Sequence, residues 1–193
     1  MKTKSIIILI PLMLAACWSS PEKQYYQLYL APPEEIKDLS FDSVILVDPV
    51  QVDNLYDDFQ IIFRISPFEM NYYAYVFWAE KPAVLIRDSV IHYLQEQKSF
   101  RKVIKEYSAG DPDLVLRTRL HILEEIDQPE RWFAHLSMEM EIEDFHSGEI
   151  LVSLRFERTE PLAGKDVSEL PKVASFILRE EVDRLLQKLQ DLK

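Results

Sequence analysis

Trp132-Phe133-Ala134-His135-Leu136-Ser137-Met138-Glu139-Met140-Glu141-Ile142-Glu143-Asp144-Phe145 alternates through its middle, with Leu136, Met138, Met140 and Ile142 on one side and Ser137, Glu139, Glu141 and Glu143 on the other. Successive side chains of an extended chain point to opposite faces, so this spacing predicts a strand with one core face and one wet face. His146-Ser147-Gly148 follows as a tight connection to a second run over Ile150 to Arg158, with Leu151, Leu154 and Phe156 as its apolar members. The two form a hairpin, which Pro161 and Gly164 end. From about Ser168 to Leu192 the period changes: Leu170, Ala174, Leu178, Val182, Leu185 and Leu189 recur at steps of three and four, opposite Lys172, Arg179, Asp183 and Gln187. That is an amphipathic helix laid on the sheet.

Working towards the amino end, Leu114 to Ile126 alternates in its first half, with Leu114, Leu116, Thr118 and Leu120 facing one way and Arg117 and Arg119 the other. Pro82 opens a helix over about Pro82 to Gln97, whose stripe is Ala83, Ile86, Val90, Tyr93 and Leu94. Strands are expected at Tyr25 to Leu30, Val44 to Val47, Phe59 to Ile65, Glu69 to Trp78 and Phe100 to Tyr107, with a loop over Ala31 to Ser40 and turns at Ser66-Pro67 and Ser108 to Pro112. Several strands, a helix, several strands and a helix make an α+β two-layer sandwich: a mainly antiparallel sheet with both helices packed on one face.

The 193 residues are 48% hydrophobic and 28% charged, an ordinary globular composition, and only 3 are glycine, too few for a nucleotide fold built on phosphate loops. Twenty-two basic against 33 acidic residues give a net charge of −11, which excludes nucleic acid as a partner and opposes docking on anionic lipid through charge. Membrane attachment must therefore be apolar. Lys2 and Lys4 precede an apolar run from Ser5 to Leu14 that Pro11 interrupts, too short to span a bilayer and suited to a secretory signal. Its end, Leu14-Ala15-Ala16-Cys17, resembles the lipobox of bacterial lipoproteins, and Cys17 is the chain's single cysteine. Cleavage between Ala16 and Cys17 divides the chain into a signal peptide (1–16), a lipidated tether (17–23) and one α+β domain (24–193). A lone thiol forms no internal disulfide, whereas lipidation gives it a role. The resemblance implies a diacylglyceryl thioether and an N-acyl group, palmitate-like chains, on Cys17. Several chains anchor stably where one does not. The mature chain has 177 residues and, without Lys2 and Lys4, a net charge of −13. Trp18 rather than Asp follows the cysteine, which by the enterobacterial sorting rule places the anchor in the outer membrane, facing the periplasm, with the inner membrane as the alternative.

Chemistry is sparse. No pair among His92, His121, His135 and His146 has the H-E-x-x-H spacing, and His121 cannot converge with Glu124 and Glu125 on one straight strand. Glu139, Glu141 and Glu143 stand about 7 Å apart along a strand, too wide for a cation without other ligands. There is no G-x-S-x-G elbow, Ser108-Ala109-Gly110-Asp111 reads as a turn, and no nucleophile sits beside a base at a recognisable spacing, so no cofactor and no enzyme are expected. The aromatic run is left over. Tyr72 to Trp78 makes either a strand buried on both faces or an exposed strip that meets a partner or an acyl chain, with Tyr73, Tyr75, Phe77 and Trp78 as the candidate contact residues.

Behind the lipobox stand Tyr25-Tyr26-Gln27-Leu28, Ile61 to Arg64, Trp78-Ala79-Glu80-Lys81-Pro82, the pattern of Leu94, Phe100 and Val103, and Asp144-Phe145-His146-Ser147-Gly148-Glu149-Ile150. In that order they resemble the ABC-type transport auxiliary lipoprotein family over nearly the whole mature chain. The resemblance implies a periplasmic accessory subunit of an ABC or mammalian-cell-entry (MCE) lipid transport system, with transporter subunits, phospholipid and further copies of the chain as partners. It supplies no catalytic residues. The alternative from another class is an envelope-assembly lipoprotein that binds outer-membrane protein, lipopolysaccharide machinery or peptidoglycan.

Overall fold

The computed structural model describes residues 21–32 and 39–192. Ala16, Cys17 and the signal sequence lie outside the described residues, as do 33–38 of the expected loop. The alternating run becomes β8 (Trp132–Asp144), and its apolar side, from Ala134 to Ile142, is fully buried. The turn after it is held by the Asp144 carboxylate, which accepts from the backbone N–H groups of His146 (3.1 Å) and Ser147 (2.8 Å). Gly148 takes a φ of +72°, a value that L side chains rarely adopt. The chain then returns as β9 (Ile150–Pro161) and pairs back as far as Phe133 opposite Pro161.

Before this hairpin come β1 (Gln24–Tyr26), β2 (Phe41–Val47), β3 (Gln51–Val52), β4 (Gln60–Ser66), β5 (Glu69–Trp78), α1 (Pro82–Glu96), β6 (Phe100–Ile104) and β7 (Leu114–Asp127); α2 (Leu170–Gln190) closes the chain. β1 is shorter than the expected Tyr25 to Leu30 because Leu28 and Leu30 turn into the core and the Tyr29 N–H donates to Ser175 Oγ on α2 instead of to a strand. The apolar stripes of both helices enter one core with the helix-facing sides of the strands. Tyr93 Oη on α1 donates to Asp183 on α2 at 2.6 Å, tying the two helices together.

The α+β class holds, but a two-layer sandwich on a mainly antiparallel sheet does not. The nine described strands form one mixed sheet curled into a half-barrel. β4 with β5, β7 with β8 and β8 with β9 are antiparallel; β1 with β5, β2 with β6, and β7 with each of β2, β3 and β4 are parallel. The reason lies in the connections. Short turns force antiparallel neighbours, but the chain from β2 to β6 runs through three further strands, β3, β4 and β5, and a whole helix, long enough to bring β6 back in the same direction. β3, two residues long, carries no periodicity to announce it.

Register within β7 shifts between Leu120 and Ile122. Such an irregularity flips which residues face the core. Up to Leu120 the even-numbered residues face the helices; beyond it Leu123 opposite Leu136 and Glu125 opposite Ala134 do so, while Glu124 opposite His135 faces away.

Leu178 on α2 is wholly buried, whereas Val84 on α1 is exposed. Leu178→Ala should cost about 2–5 kcal/mol of unfolding free energy in urea titration, and Val84→Ala less than about 0.5 kcal/mol.

Candidate functional site

β5 starts at the tip of the β4–β5 hairpin, where Pro67 and Phe68 make the turn and the Phe68 side chain is 99% exposed. One edge of β5 pairs with β4; the other pairs with β1 only at Val76, Phe77 and Trp78. Over Glu69 to Tyr75 no described strand covers that second edge, which leaves a row of backbone donors and acceptors beside Tyr72 (44% exposed) and Tyr75 (43% exposed).

The four aromatic candidates of this run part company. The Trp78 side chain is 1% exposed and lies in the core, and its backbone N–H donates to the Phe59 carbonyl at 2.7 Å, so the indole meets no partner. Tyr73 is half-buried; its ring lies 4.8 Å from that of Phe63, and its hydroxyl donates to Glu125 at 2.8 Å. Phe77 stacks on Tyr25 at 5.8 Å under the Lys23 ammonium. Tyr75 alone of the four is exposed; Tyr72, at the start of the same aromatic run, and Phe68, which lies outside it, join it. Alternation along β5 fails to predict this because the pairing with β4 is irregular between Gln60 opposite Phe77 and Ile62 opposite Tyr72.

Beneath the hairpin, on the face away from the helices, lies a mainly apolar groove of about 450 Å³ lined by Ile65, Pro67, Ile122 and Ile126, with Arg64, Glu124 and His135 among its polar members. Glu124 is buried and saturated with donors: Arg64 Nε at 2.7 Å and Nη2 at 2.9 Å, Tyr56 Oη at 2.8 Å, and His135 Nδ1 at 3.2 Å. Burial pushes its carboxyl upward, but hydrogen bonds from His135, Arg64 and Tyr56 outweigh that and hold it at about 2. Burial disfavours the charged form of His135, and the bonds to Glu124 and Glu157 more than compensate, so its imidazole titrates above the usual range. Every strong group in this network already has its complement, which makes it a structural clamp joining β4, β7 and β8.

Glu125, on the helix side, is the opposite case. Burial pushes its carboxyl up to about 7; the Tyr73 hydroxyl offsets part of this, and Asp127 and Asp166 add to it. Its Oε2 is buried without a hydrogen-bond partner.

The three residues weighed as a metal cluster are thus separated. His121 sits against Asp53 (3.3 Å) and Glu139 (3.5 Å), and Glu124 and Glu125 lie on opposite faces. The glutamates of β8 are paired with side chains: Glu139 with Arg155 at 3.1 Å, Glu141 with Ser153 Oγ at 3.0 Å, and Glu143 with Arg117 at 2.8 Å. Among the described residues no set of three or more His, Cys, Asp and Glu converges on a point that a metal would occupy. No helix among them is long and apolar enough to cross a membrane.

The family model described as "ABC-type transport auxiliary lipoprotein component" matches residues 26–184. Among solved structures, protein XCC0632 from Xanthomonas campestris is similar at a TM-score of 0.73 and 16% identity, covering 87% of this chain and 98% of its own. The hypothetical protein CT253 from Chlamydia trachomatis is similar at 0.54 and 9% identity over 77% of this chain and 98% of its own. The PelC dodecamer from Paraburkholderia phytofirmans follows at 0.50 and 12% identity over 80% and 91%. These likenesses are likenesses of fold. A search of curated proteins finds no match.

Ionising Glu125 opposes folding. Its folded-state value lies above the ordinary 4.5, so the native state binds the extra proton between about pH 4.5 and 7 and loses stability as pH rises through that window. Glu125→Gln, which keeps an acceptor for Tyr73, should abolish that loss and gain up to about 3 kcal/mol at pH 8, read from urea midpoints at pH 4.5 and 8.

Proposed function

Since this chain belongs to the family of ABC-type transport auxiliary lipoprotein components, we propose that it is a non-catalytic accessory subunit of an ABC/MCE-type system that moves lipid between the inner and outer membranes, held at the periplasmic face of the outer membrane by acyl chains on Cys17. The observation that carries the docking half of this reading is the edge of β5 that no described strand covers over Glu69 to Tyr75, crowned by Phe68. Natural sheets rarely leave such an edge open beside exposed aromatic side chains unless something pairs with it. Tyr and Phe are also the residue types that dominate interface energetics, since they bury large rigid surfaces at small entropic cost. A transporter's periplasmic segment, added as a further strand, would satisfy the free backbone groups and cover Tyr72 and Tyr75.

The non-catalytic part of the proposal is supported by the way the titratable groups are used. Glu124, Arg64, His135 and Tyr56 saturate one another, and the outer-face carboxylates are paired with arginines, histidine and serine. A second copy of the chain is the other occupant considered for the β5 edge, since the PelC structure that shares this fold is a dodecamer.

The test is recovery of partners from detergent-solubilised envelopes with the full-length lipidated protein as bait, read by mass spectrometry of proteins and lipids. Wild type should bring down a permease or substrate-binding subunit together with phospholipid. Tyr72→Glu/Tyr75→Glu should lower that recovery at least tenfold, two hot-spot side chains being worth about 2 kcal/mol each, while leaving the protein in the membrane fraction. Cys17→Ala should remove it from that fraction. Recovery of β-barrel or cell-wall proteins alone would replace the transport reading with envelope assembly.

A further inference from the structure

A second aromatic surface lies at the other end of β5 from Phe68. β5 pairs with β4 from Ser66 opposite Glu69 to Gln60 opposite Phe77, so at about 3.4 Å per residue of β4 its Trp78 end is about 20 Å or more from the hairpin turn. At that end β1 pairs with β5, and a groove of about 490 Å³ runs between the segment after β1 and the first turns of α2, lined by Tyr25, Tyr29, Ala31, Pro171, Lys172 and Ser175. Tyr25, Tyr29 and the neighbouring Phe176 are all exposed. The Tyr29 N–H is fixed to Ser175 Oγ at 3.0 Å, so the segment is pinned to the helix while its aromatic side chain points out. Phe176 follows Lys172 by one helical turn and has the Arg179 guanidinium 5.2 Å from its ring centre.

We infer that this collar of Tyr25, Tyr29 and Phe176 rests on the headgroup layer of the bilayer that holds the chain's own anchor, and so sets the domain's orientation; this rests on the reading of Cys17 as the lipidated residue. Three observations support it. The first is tether length. Tyr25 is eight residues from Cys17, so even a fully extended chain keeps it within about 28 Å of the anchored thioether. The second is chemistry. Tyr and Phe with Lys and Arg beside them, apolar bodies with polar or charged tips, are the side chains that settle at a membrane–water interface. The third is charge. With −13 on the mature chain, and Lys172 already paired with Glu169 at 2.7 Å, net charge opposes attraction to anionic lipid, so a surface that faces lipid works chiefly through aromatic burial. Three side chains alone bind a bilayer weakly. A short tether supplies an effective concentration of the order of millimolar, which lets a weak contact stay formed. The β5 edge and Phe68 then point away from the lipid, towards the periplasmic space.

The experiment uses the full-length lipidated protein in vesicles of phosphatidylethanolamine and phosphatidylglycerol, with no transporter present. Because the Cys17 thiol is consumed by lipid, Tyr29→Cys, Phe176→Cys and Phe68→Cys each introduce the one thiol available for a nitroxide label, and all three replace exposed side chains. Expected is a several-fold loss of accessibility to a water-soluble nickel chelate, with a rise in accessibility to dissolved oxygen, at positions 29 and 176 relative to 68. Equal, water-like accessibility at all three positions on protein that floats with the vesicles would overturn the proposal and leave the anchor intact, as would protection at 29 and 176 that appears only when envelope proteins are added. Failure to float would remove the anchor reading and the proposal with it.

Discussion

The architecture depends on satisfying both edges of one long strand. β7 has fourteen residues in a largely buried setting, and each of its backbone N–H and C=O groups needs a partner there. β8 serves one edge along its whole length. The other edge is shared in succession by β2 at Leu114 to Leu116, β3 at Arg119 and Leu120, and β4 at Glu125 and Ile126. Strands distant in sequence are thereby fixed in relative position, and with them the hairpin that carries β5 and the helix that leads to β6.

The register shift in β7 has chemical consequences well beyond its size. Without it, Glu124 would face the helices and Glu125 the groove. With it, two adjacent carboxylates enter opposite environments. One is neutralised by arginine, tyrosine and histidine and titrates far below the usual range; the other has a single hydroxyl donor, two acids nearby, and titrates far above it. Burial is common to both, so the difference comes from the donors that the neighbouring strands present. The Tyr73–Glu125 bond also ties the open strand β5 to the centre of the sheet, and the Arg64–Glu124 bond does the same for β4 from the other face. The hairpin that presents Phe68 is thus held from both sides at its base while its tip stands clear.

On the proposed reading the chain holds one membrane and reaches a partner, and the two aromatic surfaces lie apart along β5 in keeping with it. The end where the chain leaves towards Cys17 gathers Tyr25, Tyr29 and Phe176, and the distal end gathers Phe68 and the uncovered edge. The outer face of β7, β8 and β9 carries cross-strand pairs such as Arg117 with Glu143 and Arg155 with Glu139, which suit contact with water. Individually such exposed pairs add little stability, and their effect is to keep this face from associating.

What the sequence determined by itself is what depends on neighbours along the chain. Alternation placed β8 and the start of β7, steps of three and four placed the stripes of α1 and α2, and Pro82, Ser66-Pro67 and His146-Ser147-Gly148 marked their boundaries, because period and turn chemistry are local properties. The resemblance of Leu14-Ala15-Ala16-Cys17 to a lipobox likewise rests on consecutive residues. What only the tertiary structure decided is what depends on residues far apart. Parallel pairing, the two-residue β3, the register shift at His121, and the division of the aromatic run into buried Trp78, hydrogen-bonded Tyr73 and exposed Tyr72 and Tyr75 all follow from which distant strand lies alongside. Exposure of a strand residue is set by the strand beside it and the layer above it, and in this chain those neighbours of β5 come from residues up to about a hundred positions away, as Asp166 near Tyr73 shows. A one-dimensional pattern holds no record of such neighbours.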